Sequence, residues 1–252
     1  MRMMRPSALF ASLAFLALPQ AVCAQGSATP SPGAQAATPK AVVELFTSQG
    51  CSSCPAADAV IGRVAASRKD VVALTLATDI WDYLGWKDTL SSPKFGERQK
   101  AYAKSFKDMI YTPQAVINGA VHINGADEAL LNRKIDAAQG PRVPIRVWEE
   151  GGKLHIEAAG SDADSVKSAT LWLAVLADKV SVPVTRGENR GKTLTYYNVV
   201  REITPVGMWS GKPMSVQFER TSIARPDTNR CAVLLQEGHG GPIIGAALLE
   251  QF

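Results

Sequence analysis

Cys51-Ser52-Ser53-Cys54 is the stretch of this chain whose residue types and spacing can do chemistry most directly. It follows a loop, Thr47-Ser48-Gln49-Gly50, and opens a segment whose Val60, Ile61 and Val64 share one face at helical spacing. Pro55 falls in the first turn of that expected helix, where its missing N–H costs nothing. Unpaired backbone N–H groups and the helix dipole favour a thiolate at the first cysteine, so Cys51 is the expected attacking thiol. Cys54, inside the helix and less exposed, is the expected resolving thiol, closing a Cys51-Cys54 disulfide by intramolecular attack. The same spacing also serves half a zinc site or a purely structural disulfide. With no second Cys-x-x-Cys, and with His122, His155 and His239 widely scattered, no metal site is expected. Thiol exchange needs no dissociable organic cofactor, and none is expected.

The elements that must hold this pair are legible around it. Ala41 to Phe46 reads as a short apolar strand, and 54–66 as the helix. Val71 to Ala77 is a continuous apolar run, the mark of a strand covered on both faces, so strand, helix and strand make a parallel crossover unit. A second helix is expected over 92–106, a hairpin over 115–123 turning at Asn118-Gly119, and a closing helix over 126–138. Beyond Gly140-Pro141 the period changes to two. Strand-like runs recur at 145–148, 154–157, 171–176, 180–185, 193–203, 214–219, 232–236 and 243–249, which predicts an antiparallel β-sandwich-like domain.

Composition sets the class. The chain has 252 residues, 46% hydrophobic and 20% charged, as expected of a globular protein of two ordinary domains. Arg2 and Arg5 precede an apolar run from Ala8 to Leu18, and small residues follow at Val22-Cys23-Ala24, so 1–24 reads as a cleaved signal peptide. Its apolar run is about half the ~20 residues needed to span a bilayer, and no later run approaches that length, so no transmembrane segment is expected. Residues 25–39, Ala, Pro, Gly, Ser and Thr with little else, read as a flexible linker. Removing Arg2 and Arg5 from 27 basic residues leaves 25 against 23 acidic ones, a net of about +2 that implies no nucleic-acid partner. The domains are therefore expected at 40–140 and 141–252, in a secreted, periplasmic protein. Cysteine usage agrees: once Cys23 leaves with the signal, one close pair and Cys231 remain, and Cys231 in an apolar strand is expected to be an inert buried hydrophobe.

The order strand, Cys-x-x-Cys-Pro, helix, strand, helix, Thr112-Pro113, hairpin, helix resembles the thioredoxin fold element by element. The fold class expected is therefore α/β, a thioredoxin-like domain followed by the β-rich one. The resemblance implies a cis Thr112-Pro113 bond beside the disulfide, where the backbone of that loop receives a substrate chain. It also implies that Glu44, on the strand before the cysteines, relays protons to the resolving cysteine, although one extra residue separates it from Cys51. The wording of 43–55, of Trp81-Asp82-Tyr83-Leu84-Gly85-Trp86-Lys87-Asp88, of Tyr111-Thr112-Pro113-Gln114, of Arg186-Gly187-Glu188-Asn189 and of Asn198-Val199-Val200-Arg201 resembles a narrower family, domain of unknown function 1223. Trp81 and Trp86 lie in an insertion after the central strand, at the sheet edge where α/β proteins keep their sites. They read either as a rim that binds substrate or as packing against the helix or the second domain.

Three functions fit these residues. The first is a thiol-disulfide oxidoreductase acting on client protein thiols or disulfides, together with a redox partner. The second is a non-enzymatic periplasmic binding module with a structural disulfide. The third is a copper(I) metallochaperone holding the ion on two thiolates, with a histidine such as His239 as a further ligand.

Overall fold

The structure is a computed structural model, and it describes residues 38–161 and 168–252. The expected signal peptide and most of the expected linker lie outside the described residues.

Eleven strands and four helices are present among the described residues. In the first half they are β1 (Ala41–Thr47), α1 (Cys54–Ser67), β2 (Val71–Ala77), α2 (Pro93–Phe106), β3 (Gln114–Ile117), β4 (Val121–Asn124) and α3 (Glu128–Ala137). These match the elements read from hydrophobic period. Both β1 and β2 are buried along their whole length, and they pair in parallel from Ala41 with Val71 to Thr47 with Ala77. Val43 and Leu45 of β1 pack under α1 and α3, while Val42 and Phe46 pack against Phe95 and Tyr102 of α2. Helices therefore cover both faces, as a parallel pair of continuous apolar strands requires. A 3-10 turn at Asp82–Leu84 sits inside the aromatic insertion.

The second half contains β5 (Ile145–Glu150), β6 (Lys153–Ala158), β7 (Ala169–Pro183), β8 (Thr193–Trp209), β9 (Met214–Glu219), α4 (Arg220–Ile223), β10 (Arg230–Glu237) and β11 (Ile243–Leu249). Here the structure differs from expectation. The runs 171–176 and 180–185 are one 15-residue strand, β7, because the polar Asp178-Lys179 stays in register opposite β8 instead of turning. Only a register shift at Val175/Leu176 marks the place. Nor do the later strands form a sheet of their own. An eight-stranded mixed sheet runs β11-β10-β7-β8-β2-β1-β3-β4, across both halves of the chain. A second, antiparallel sheet of β5, β6 and β9 covers its distal part, with Leu154 and Ile156 against Leu173, Val233 and Leu235. The sandwich-like packing is real, and one of its two layers belongs to the sheet that also carries the cysteines. No helix among the described residues is long and apolar enough to cross a membrane.

The strand pairing between the halves is one short seam. Thr75 of β2 pairs in parallel with Val199 of β8, and its Oγ1 donates to the Tyr197 carbonyl at 2.7 Å. Asn198 Nδ2 donates to the Ala73 carbonyl at 3.0 Å, with Asn198 itself at a positive φ of 46°. Gly62 is what lets α1 close on this seam, since a Cβ there would come within 2.6 Å of the Tyr197 ring.

Candidate functional site

The cysteines sit where β1 hands over to α1. Cys51 and Cys54 are joined in a disulfide with a Cα–Cα separation of 5.4 Å, ordinary for such a bond. Cys54 is fully buried and Cys51 is 6% exposed, so the two sulfurs are not equivalent toward solvent. Ser52 and Ser53 are exposed, and the Ser53 Oγ lies 3.3 Å from Cys51 Sγ. The turn is closed by Cys51 N–H to the Ser48 carbonyl and Cys54 N–H to the Cys51 carbonyl.

Four of the other residues singled out in the sequence, Thr112, Pro113, Trp81 and Trp86, converge on this turn. The Thr112–Pro113 peptide bond is cis, and the Thr112 carbonyl oxygen lies 3.8 Å from Cys51 Sγ. Trp81 Nε1 donates to Thr112 Oγ1 at 2.7 Å, so the aromatic insertion holds the loop that faces the disulfide. Gly50 permits this, since a Cβ would meet that of Trp81 at 2.9 Å. Trp86 Nε1 donates to Gln49 Oε1 at 2.8 Å and bears on the β7–β8 loop, where a Cβ on Gly187 would lie 3.3 Å from its own. The insertion thus packs on both flanks of the site. Tyr83 remains 75% exposed at its tip.

Glu44 is not brought to the disulfide. Strand alternation turns it, with Val42 and Phe46, toward α2, on the opposite face of the sheet from the helix that carries Cys54. There it is fully buried, accepts from Arg98 Nε and Nη2 at 2.5 and 3.1 Å, and also accepts from the Tyr102 hydroxyl. Arg98 Nη1 continues the cluster to Gln236 Oε1 at 3.0 Å. A buried carboxylate with its charge and both oxygens so engaged is a structural pair, stabilising only as long as both partners remain.

Two features lay beyond the sequence reading. The first is Asp58, on α1 four residues after Cys54 and 2% exposed. Its Oδ1 accepts from Thr47 Oγ1 at 2.7 Å, while its buried Oδ2 has no hydrogen-bond partner among the described residues. Burial pushes its carboxyl up to about 8, against the lowering by Thr47, and the Asp88 charge adds to the rise. Burial likewise pushes Asp88 up to about 6, opposed by the backbone N–H groups of Gln49 and Leu90 that it accepts.

The second is the β7–β8 loop, which reaches back over the cysteine turn. Asn189, fully buried, donates from Nδ2 to the carbonyls of Gln49 at 3.0 Å and Cys51 at 2.8 Å. Glu188 Oε2 accepts the Ser52 N–H at 3.1 Å. The sequence signal was the Arg186-Gly187-Glu188-Asn189 wording of the family resemblance, which named no partner.

Cys231 is fully buried among β10, β7 and the second sheet, and burial pushes its thiol up. His239 lies on an exposed turn away from the pair, beside the α2 residue Ala101. Among the described residues no three His, Cys, Asp or Glu side chains cluster as a metal site.

Fold and site together define a mixed α/β protein with an oxidised Cys-x-x-Cys at the start of a helix, clamped from a distant hairpin loop. Residues 42–236 match the family described as Protein of unknown function (DUF1223), and the chain belongs to that family. Among solved structures it is similar to a protein of Agrobacterium tumefaciens determined by X-ray crystallography. Their identity is 35% and the TM-score 0.75, covering 84% of this chain and 95% of that one. It is also similar to HBP35 of Porphyromonas gingivalis at 13% identity and a TM-score of 0.60, covering 85% of this chain and 76% of that one, a likeness of fold alone. No curated protein matches the chain.

Proposed function

We propose that this protein is an exported thiol-disulfide oxidoreductase with a thioredoxin-like fold at its centre, acting on client proteins of the bacterial envelope. The observation that carries the reading is the asymmetry of the pair: Cys51, 6% exposed, is the more accessible, with the Thr112 carbonyl 3.8 Å from its sulfur, and Cys54 is fully buried. An incoming thiolate meets the Cys51 sulfur first, and the Thr112–Pro113 loop offers it a backbone to lie against. In the reducing direction Cys51 attacks a client disulfide and Cys54 resolves the mixed disulfide. The order of β1, the cysteine turn, α1, β2, α2, the Thr112–Pro113 loop, the hairpin and α3 supports the thioredoxin-like reading. The aromatic insertion extends the surface that a client chain would meet.

The test is trapping. Cys54→Ser exposed to oxidised glutathione should hold one stable mixed disulfide, seen as a single mass adduct, whereas Cys51→Ser should hold none. Adduct formation at neither variant would contradict the reading. A second reading, a binding module with a permanent disulfide, is favoured by the clamp of Asn189 and Glu188 over the turn. It predicts full partner binding when both cysteines are serine.

A further inference from the structure

We propose that Asp58 is the group that gives Cys54 its proton when the disulfide opens and takes it back when the disulfide closes. This rests on the exchange reading above and names the proton path of that same site.

Opening the pair at the Cys51 sulfur makes Cys54 the leaving group, and a fully buried thiolate without a proton is costly. Something inside must supply that proton. Glu44 is on the wrong face of the sheet and already bound to Arg98. Asp58 shares the buried face of α1 with Cys54 one turn away, a spacing that puts Cβ atoms about 5–6 Å apart. One of its oxygens is fixed by Thr47, which sets the carboxyl's orientation, and the other is buried with no partner among the described residues. Buried polar atoms rarely go unpartnered without a reason, and a proton that comes and goes is one.

The surroundings suit a proton that must also reach solvent. Asp58 lines a 490 Å³ groove between α1 and β8, with Pro55, Gly62, Thr195 and Tyr197. The described groups facing it are Thr47 from β1, Asp88 from the segment after β2 and Tyr196 from β8, whose hydroxyl is likewise buried and has no partner among the described residues. On its own helix, Arg63 is exposed and paired with Glu128 rather than with Asp58. Burial keeps the carboxyl protonated up to about pH 8, close to the range of an ordinary thiol, the matching that proton transfer favours.

The step balances. A client or glutathione thiolate attacks Cys51 Sγ, the Cys51–Cys54 bond breaks, and its electron pair stays on Cys54 Sγ. Asp58 passes its proton to that sulfur and becomes a carboxylate, which recovers a proton from water through the groove. In reverse, the Asp58 carboxylate takes the Cys54 proton, and Cys54 attacks Cys51 Sγ. The bond between Cys51 Sγ and the client or glutathione sulfur then breaks, and that sulfur leaves as a thiolate with the electron pair.

The experiment is the pH dependence of disulfide opening by reduced glutathione in the intact protein, followed by acid quench, alkylation and mass. Rates are divided by the glutathione thiolate fraction at each pH. In the wild type the corrected rate should fall as pH rises through about 8, where Asp58 loses its proton. Asp58→Asn should be flat and at least about tenfold slower at pH 7. Thr47→Val, which keeps the acid but removes the bond that lowers its affinity for protons, should move the inflection to higher pH. That second variant decides the matter even if Asp58→Asn does not fold. A flat wild-type profile, or an inflection unmoved in Thr47→Val, overturns the proposal. Failure of glutathione to open the wild-type disulfide at any pH removes the exchange reading itself, whereas opening with a flat profile removes only the role of Asp58.

Discussion

Asn189 donates a hydrogen bond to the carbonyl of Cys51, 138 residues earlier in the chain, at 2.8 Å. The first cysteine is thereby held from a loop of the β-rich half, so the two halves are one working unit at the site. Asn189→Ala would leave the buried carbonyls of Gln49 and Cys51 short of their donor, at a cost of about 2 kcal/mol. The expected outcome is a fall of several degrees in melting temperature, with faster opening of the disulfide by glutathione as the turn loosens. An unchanged melting temperature would mean the clamp is incidental.

Glu188 places a carboxylate on the N–H of Ser52, the residue next to Cys51. A nearby negative charge disfavours a second one. In the reduced protein, Glu188→Gln should lower the thiol pKa of Cys51. Alkylation by iodoacetamide at pH 6 should then speed up by about threefold. A rate equal to the wild type would remove Glu188 from the account.

Asp58 also predicts a pH dependence of stability whose sign follows from its raised affinity for protons. Below its ordinary value near 3.8, folded and unfolded chains both carry the proton. Between there and about pH 8 the unfolded chain ionises while the folded one does not, so stability present at low pH is lost as pH rises through that window. Asp58→Asn cannot ionise. Its melting temperature relative to wild type should therefore rise by several degrees between pH 4 and pH 8, measured by calorimetry at each pH. A difference that stays constant would contradict the burial argument.

Glu44 predicts the opposite pattern. Glu44→Gln leaves the Arg98 guanidinium buried without its counter-charge, so a loss of at least about 3 kcal/mol in denaturant unfolding is expected. The pH profile of disulfide opening should keep its inflection. A lost inflection in a folded Glu44→Gln protein would return the proton role to Glu44.

How far the sequence could be read depended on how local each signal was. The first-half elements were legible because their hydrophobic periods are local, and the Thr112–Pro113 loop because it falls at a fixed place in their order. The pairing of Thr75 with Val199 was not, since period shows that a strand exists and not which strand it joins. The same gap split β7 in two: Asp178-Lys179 looks like a turn until β8 is known to lie opposite. Glu44 was placed correctly on its strand, but the extra residue before Cys51 turns its side chain to the other face. Asp58 was passed over because a charged residue on a helix usually faces water. Its spacing from Cys54 and from Ile61, both buried, was the available signal.

The most direct measurement is the equilibrium between the Cys51–Cys54 disulfide and glutathione or dithiothreitol buffers of graded potential, with Cys51→Ser as control. The account predicts a reversible two-electron transition between roughly −300 and −120 mV, an oxidant or isomerase if it lies above roughly −200 mV and a reductant if it lies near roughly −270 mV. A pair that stays oxidised below that window would be a structural disulfide, and the oxidoreductase reading would be contradicted.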